Sequence, residues 1–381
     1  MPMPDWTESQ KRAIEHFSGD LLVKAGAGSG KTTVLAQRCA ALVTRQSDPC
    51  GVDDLLVVTF TEDAAREMRG KIARVIRAAA EQSANSLRLR QQAALVDQAR
   101  ISTIHSFCKW LITAYFHESG LDPAFTMLNE HEAQLMFSQS LRETLAQWLD
   151  RRDDDAEKLK RVLDYYANGD AGWLDGCARK LRLTFDTLSD LDAWVLGLKN
   201  AAPSAGSVAR EYGCWFARKL TEMAQMMADL PPAPAKLSAS ERQMFDWLAD
   251  TNIKIRSMAE MLTANPENSW PGMQQLTREI TACRPKSVRA VDELATEVKE
   301  RFYEPLKEHW KDLSPTLETP LDVLAKREIE SHQLTVSLVT FVLDVRAAYS
   351  AVKQARNQLD FSDLEQHAYK LLTKPESKAL G

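Results

Sequence analysis

Gly26, Gly28 and Gly30 recur at every second position and lead directly into Lys31, Thr32 and Thr33. Glycine lets a backbone curl so that successive N–H groups face one anion. A helix starting near Lys31 adds its positive N-terminal end. A lysine at that point reaches the β- and γ-phosphates of a nucleotide, and a threonine hydroxyl reaches Mg²⁺. The run Ala25-Gly26-Ala27-Gly28-Ser29-Gly30-Lys31-Thr32-Thr33 is therefore expected to cradle ATP. Lys31 and Thr32 are the expected catalytic residues of the loop, and Thr32 is the expected Mg²⁺ ligand. The run departs from the general G-x-x-x-x-G-K-[ST] pattern only at its first position, Ala25. A Gly-rich turn before a surface helix would not explain Gly-Lys-Thr-Thr at the helix start.

Three further blocks carry polar chemistry. Gln10, in Trp6-Thr7-Glu8-Ser9-Gln10, offers a donor and an acceptor that match the N6/N7 edge of adenine. Thr7 is also a natural helix N-cap, so the same stretch reads as a simple helix start. Thr59-Phe60-Thr61 and Thr103-Ile104-His105-Ser106-Phe107 each close an apolar run with hydroxyl and aromatic side chains. Ligands in open α/β sheets bind at the carboxyl ends of strands. Hydroxyls beside helix-start N–H groups suit phosphate, and Phe60 or His105 could stack on bases. Burial of Phe60 and Phe107 under the next helix is an equal alternative. No Ser or Cys nucleophile pattern surrounds His105.

The elements that must position these residues alternate over the first ~120 residues. Leu21–Lys24 predicts a short strand before the loop, and Thr32 to about Arg45 predicts a helix. Leu55–Phe60 reads as a buried strand apolar on both faces. Asp63–Glu81 predicts a helix, Ile101–Ile104 a strand and His105–Phe116 a helix. This alternation predicts an α/β fold with a parallel sheet. From about Asn129 to Asn357 long amphipathic helical patterns replace it. Breaks are expected at 201–206, 231–234, 265–268 and 314–315. Seven of nine tryptophans lie there, at 148, 173, 194, 215, 247, 270 and 310, and are expected to anchor a helical core. His332–Gln358 predicts one long helix, and Ser362 with Glu365 predicts a capping box for a last helix.

Composition narrows the class. The net charge is −5, yet residues 62–109 hold nine Lys/Arg against five Asp/Glu, a local excess that suits an anionic partner. The six cysteines include no C-x-x-C, which argues against a zinc site or redox pair and for a cytoplasmic protein. No signal-peptide h-region opens the chain, and the apolar stretch Val336–Val345 is too short for a membrane span.

The blocks together resemble the early motifs of superfamily 1 DNA helicases of the UvrD/Rep type. Trp6–Ile14 is similar to the family's Q-motif, Ala25–Thr32 to its A-G-A-G-S-G-K-T loop, and Thr59–Met68 to T-F-T-x-x-A-A-x-E-M. Ser102–Cys108 and Leu359–Leu364 resemble S-T-I-H-S-F-C and L-D-F-x-D-L, in the form found in AddA-type helicase-nucleases. The resemblance implies a P-loop RecA-like sheet, partial here, with a large all-helical insert. Residues 1–125 would begin the ATP-binding domain, 126–357 would form a 1B-type insert, and 358–381 would return to the first domain. It implies an ATP- and Mg²⁺-dependent 3′-to-5′ helicase of double-strand break repair and recombination, acting on single-stranded and duplex DNA with an AddB-type partner. Thr59, Phe60, Thr61, Thr103, His105 and Phe107 would line the single-strand track. The family's D-E-x-Q-D carboxylates lie beyond the L-D-F-x-D-L block, and the chain ends at Gly381 before any such motif. The chain is thus expected to be an N-terminal part that binds ATP and DNA without turnover. A complete, non-hydrolysing ATP- and DNA-binding module is the alternative; a small-molecule kinase fits the loop but not the later blocks.

Overall fold

The computed structural model describes residues 6–82, 86–167 and 170–373. The chain divides into two compact units, one of residues 1–139 with 348–381 and one of residues 140–347. Helix predominates, with small parallel sheets.

In the first unit, α1 (Glu8–Glu15) opens with Thr7 as N-cap; its hydroxyl accepts from Gln10 N–H while the Gln10 side chain takes the Thr7 N–H. That reciprocal pair is a capping box. Helix α2 (Lys31–Thr44) follows the glycine loop and buries Val34, Ala36, Cys39, Ala40 and Val43. Strand β1 (Leu56–Thr59), α3 (Glu62–Gln82), α4 (Ser86–Leu95) and β2 (Arg100–Thr103) come next. β1 and β2 pair in parallel with Val57 opposite Ile101 and Thr59 opposite Thr103. Their buried residues meet Met68, Ile72 and Ile76 of α3 in one apolar core. A parallel pair requires a crossover, and α3 with α4 supplies it. Helices α5 (Ile104–Ala114) and α6 (Phe116–Ser119), strand β3 (Thr126–Met127) and the start of α7 (Glu130–Asp150) continue the unit. β3 pairs in parallel with β4 (Gln358–Leu359), which leads into α17 (Phe361–Thr373). Cys108, Ile112, Leu359, Leu364 and Leu371 form a second small core.

The second unit is helical throughout its described residues. Helices α8 (Asp154–Val162), α9 (Ala171–Thr187), α10 (Leu191–Asn200) and α11 (Ala205–Met226) precede α12 (Ala239–Ala264) and α13 (Pro266–Cys283). Then come α14 (Glu293–Val298), α15 (Glu304–Glu318) and α16 (Leu321–Ala355). Phe216, Met244, Trp247, Ile255, Trp270, Tyr303 and Trp310 centre its largest core. Trp148 packs edge-on against Phe341 and donates to Asp344 at 2.9 Å. Two wide π turns interrupt the helices, at Leu163–Ala167 and Lys299–Tyr303. α16 is long and apolar enough to cross a membrane by length and composition. It reads instead as a core helix, because Phe341, Val342, Val345 and Tyr349 are buried and Ser337 and Arg346 are tied internally.

Several sequence expectations change. Leu21–Lys24 is not a strand: its apolar residues are exposed and no described neighbour pairs with them. β1 is apolar on both sides, yet only Val57 is buried, so one face of the strand lies open. Ser314–Pro315 does not break the chain but lies within α15, near its end. The Asn265–Asn268 stretch begins α13, with Asn265 as N-cap and Pro266 in the first turn, where its missing N–H costs nothing. Trp194 and Trp215 are exposed rather than core.

Candidate functional site

The glycine loop has the backbone its sequence requires. Gly28 and Gly30 adopt φ of 76° and 79°, a region that side-chain-bearing residues avoid. Gly30 is the N-cap of α2 and no side chain caps that helix. The first N–H groups of α2 therefore face the loop mouth without an internal acceptor from a side chain, the arrangement that favours an anion. Ser29 Oγ donates to Gly26 O at 2.8 Å, tightening the curl. Lys31 Nζ bridges Ala25 O at 3.0 Å and Gly26 O at 2.6 Å, at the loop mouth. Thr32 and Thr33 follow in the first turn of α2; Thr32 is exposed and Thr33 half-buried.

A cavity of about 830 Å³ adjoins the loop. Gln10, Ala25, Ser29 and Lys31 line it, with Thr7, Asp20, Leu21, Val34 and Arg38. The volume suits a nucleotide-sized ligand. Uncapped helix N–H groups, a lysine and a hydroxyl at one end fit a triphosphate with its Mg²⁺; Thr32 would be the metal's ligand. Gln10 Nε2 donates to Ser29 O at 3.3 Å, and Gln10 Oε1 accepts from Thr7 N–H at 2.9 Å. The amide thus ties α1 to the loop as well as lining the cavity. Arg38 was not singled out by sequence reasoning. It lies two turns beyond Lys31 on the same face of α2, and that i+7 spacing was the available signal. Its guanidinium donates to Ala13 O at 2.9 Å.

The strand-end residues gather at one edge, because the in-register pairing sets Thr59 beside Thr103. Their hydroxyls serve the fold. Thr103 is the N-cap of α5, accepting from Ser106 N–H, and it donates to Glu62 at 2.9 Å. Ser106 Oγ also donates to Glu62, at 2.8 Å, and these two hydrogen bonds hold the Glu62 carboxyl below its ordinary range. Thr61 Oγ1 accepts from Ala64 N–H at the start of α3, and Thr59 Oγ1 donates to Thr61 O at 3.0 Å. Phe60 is fully exposed, so burial under the next helix does not occur. Phe107 does the opposite: it packs with Cys108, Leu111 and Ile112 and stacks on Trp110. His105 is half-exposed, with the Phe361 ring 4.6 Å away and Glu365 Oε1 3.3 Å from Nε2.

The expected Ser362–Glu365 capping box is not formed. Asp360 and Asp363 make the reciprocal pair instead: Asp363 N–H donates to Asp360 Oδ1 at 3.0 Å and Asp360 N–H to Asp363 Oδ2 at 2.9 Å. Aspartate caps as well as serine does, and Glu365 is left to face His105.

Residues 6–380 match the UvrD/REP helicase N-terminal domain. The chain belongs to this helicase family. UvrD-like helicases are ATP-dependent, bind DNA and use ATP with Mg²⁺. This UvrD/Rep-family chain is similar to AddA-type proteins, the larger polypeptides of ATP-dependent helicase/nucleases, from several bacteria. It is 32% identical over 389 residues to that of Pelotomaculum thermopropionicum, covering 96% of the chain and 29% of the relative. The counterpart in Desulforamulus reducens is 28% identical, over 98% of this chain and 30% of its own length. That of Geobacillus kaustophilus is 29% identical, over 96% and 30% respectively. The chain thus spans about 30% of the length of these curated relatives.

Proposed function

We propose that this chain is the ATP-binding and single-strand-binding part of a DNA helicase acting in double-strand break repair and recombination. Residues 140–347 form its 1B-type helical insert. The uncapped, glycine-led start of α2 beside the Gln10-lined cavity is the observation that supports this reading most. ATP would lie with its adenine toward Gln10 and its β- and γ-phosphates on the 26–32 backbone. Lys31 would leave the loop carbonyls to neutralise phosphate charge, and Thr32 would hold Mg²⁺.

Single-stranded DNA would cross the edge where β1 and β2 end. Phe60 supplies a free aromatic face, and His105 with Phe361 supplies a second aromatic surface. Thr59, Thr61 and Thr103 shape that edge through their caps. Phe107 supports it from the core. The basic excess of residues 62–109 adds favourable charge for phosphate. Catalysis of ATP hydrolysis needs carboxylates that hold the metal and orient water. In the family these lie in a D-E-x-Q-D motif, which the 381 residues do not contain. The chain by itself is therefore an ATP binder, and its relatives' printed function, a helicase/nuclease, implies a companion of AddB type for the whole enzyme.

The test is steady-state ATP hydrolysis and nucleotide titration on the 381-residue chain, with and without oligothymidylate, with Lys31→Ala as control. Saturable nucleotide binding lost in Lys31→Ala, without turnover, is expected. DNA-stimulated turnover would show that acidic residues within the chain replace the D-E-x-Q-D carboxylates. Nucleotide affinity unchanged in Lys31→Ala would remove the loop assignment.

A further inference from the structure

Lys353, in the last turn of α16, is a buried cation within the first unit. Its ammonium donates to Asp360 Oδ2 at 3.1 Å and to Asp363 Oδ2. Tyr349, one turn earlier on α16, donates its hydroxyl to the same Asp360 oxygen at 2.8 Å. The ammonium also lies 4.3 Å from the Tyr349 ring centroid. Charge placement is favourable at both helix ends, a cation at the end of α16 and two carboxylates at the start of α17. Burial pushes the Asp363 carboxyl up, against the opposing pull of Lys353.

Stability alone is a weak reason for such a group. Well-packed apolar residues commonly replace a buried ion pair without loss. What the carboxylates add is direction. Asp360 and Asp363 cap each other's N–H groups, so the ammonium that joins them fixes where α17 begins. Phe361 and Glu365 stand on that first turn and the next. Phe361 meets the His105 ring at 4.6 Å, and Glu365 meets His105 Nε2 at 3.3 Å. Both contacts depend on the position and azimuth of the α17 start.

We propose that Lys353 is a positioning residue: through Asp360 and Asp363 it sets the start of α17, and so holds Phe361 and Glu365 against His105 at the single-strand edge. This rests on the DNA reading given above. Lys353 touches no nucleic acid itself. Its effect passes through the aromatic pair that does.

The experiment uses the 381-residue chain. Lys353→Met leaves two buried carboxylates without a counter-ion, so the folded comparison is Lys353→Met with Asp363→Asn. Two signals are read. The first is the ring-current shift of the His105 carbon-bound protons caused by Phe361, followed by NMR without DNA. The second is oligothymidylate affinity by fluorescence anisotropy. The double variant is expected to lose the ring-current shift and to bind oligothymidylate about tenfold more weakly, the scale of one lost base stack. In a Phe361→Ala background the same double substitution should change affinity by less than about twofold, since the group it positions is gone. A purely structural role would give equal losses in both backgrounds and would overturn the proposal. So would an unchanged His105 shift in the folded double variant. Absence of oligothymidylate binding by the unsubstituted chain would remove the DNA reading; the His105 shift would then decide the positioning role by itself.

Discussion

The glycine loop and the strand-end edge lie in the same unit and are built on opposite terms. The loop presents backbone N–H groups, and its glycines adopt backbone conformations that side-chain-bearing residues avoid. The edge presents side chains, and most of its hydroxyls are already engaged as caps of α3 and α5. A site made of backbone leaves its donors free because nothing in the fold needs them. A site made of Ser and Thr competes with helix capping for the same atoms. What remains outward at the edge is aromatic: Phe60, and His105 with Phe361.

The largest test of this contrast is Gly30→Val. Its φ of 79° is strained for a β-branched residue, and the added side chain would stand in the loop mouth. Nucleotide affinity is expected to fall more than about 100-fold, with oligothymidylate binding retained; roughly 1–3 kcal/mol of backbone strain contributes to the loss. Equal nucleotide affinity, measured by calorimetry, would mean that the loop does not need this backbone. Next in size is Phe60→Ala. Oligothymidylate affinity should weaken about tenfold, as for one base stack. The melting temperature should not move, because the side chain buries nothing.

Thr103→Val sharpens the comparison from the other side. Loss of the α5 cap should cost about 1 kcal/mol in stability, read by thermal unfolding. DNA affinity should fall less than in Phe60→Ala. A selective loss of affinity with unchanged melting would make the hydroxyl a DNA ligand after all. The smallest effect concerns a protein-made analogue of the anion loop in the second unit. The buried Glu241 carboxylate accepts from Val291 and Asp292 N–H at 2.7 and 3.0 Å, and these bonds with Ser238 hold its pKa down to about 2. A carboxyl depressed in the folded state stabilises above its ordinary value of 4.5 and loses that contribution as pH falls toward about 2. Glu241→Gln should flatten the acid limb of stability between those values and change nucleotide binding not at all. An unaltered acid limb in denaturant titrations would show that these N–H groups do not depend on the charge.

Legibility in the sequence followed the same division. Lys31, Thr32 and the three glycines could be read directly, since one backbone conformation serves one chemistry. Thr7 as a cap, α3 and the β1–β2 pair were equally plain from spacing. Leu21–Lys24 misled because a strand exists only when paired, and pairing is not a local property. Ser362 and Glu365 fitted a capping box, but Asp360 and Asp363 fit one too, and only Lys353 decided between them. A single lysine late in a long apolar helix, seven and ten residues before two aspartates, was the signal. Trp215 and Trp194 fell outside the core because helical periodicity shows that a face exists, not whether a neighbour covers it. Phe60 and Phe107 could not be separated from sequence. One ends a strand into open space, and the other sits one turn into α5 against Ile112 and Leu111.

The open face of β1 has a consequence for the chain as a material. Leu56 and Val58 stand half-exposed on a two-stranded sheet, Phe60 projects fully beyond it, and Leu22 is 95% exposed. Unpaired strand edges with apolar side chains are templates for other chains. A net charge of −5 spread over 381 residues offers little repulsion against that contact. Solubility of the isolated chain will therefore be set by concentration and by these apolar surfaces: self-association should rise with salt and fall when Leu22 and Val58 are replaced by lysine.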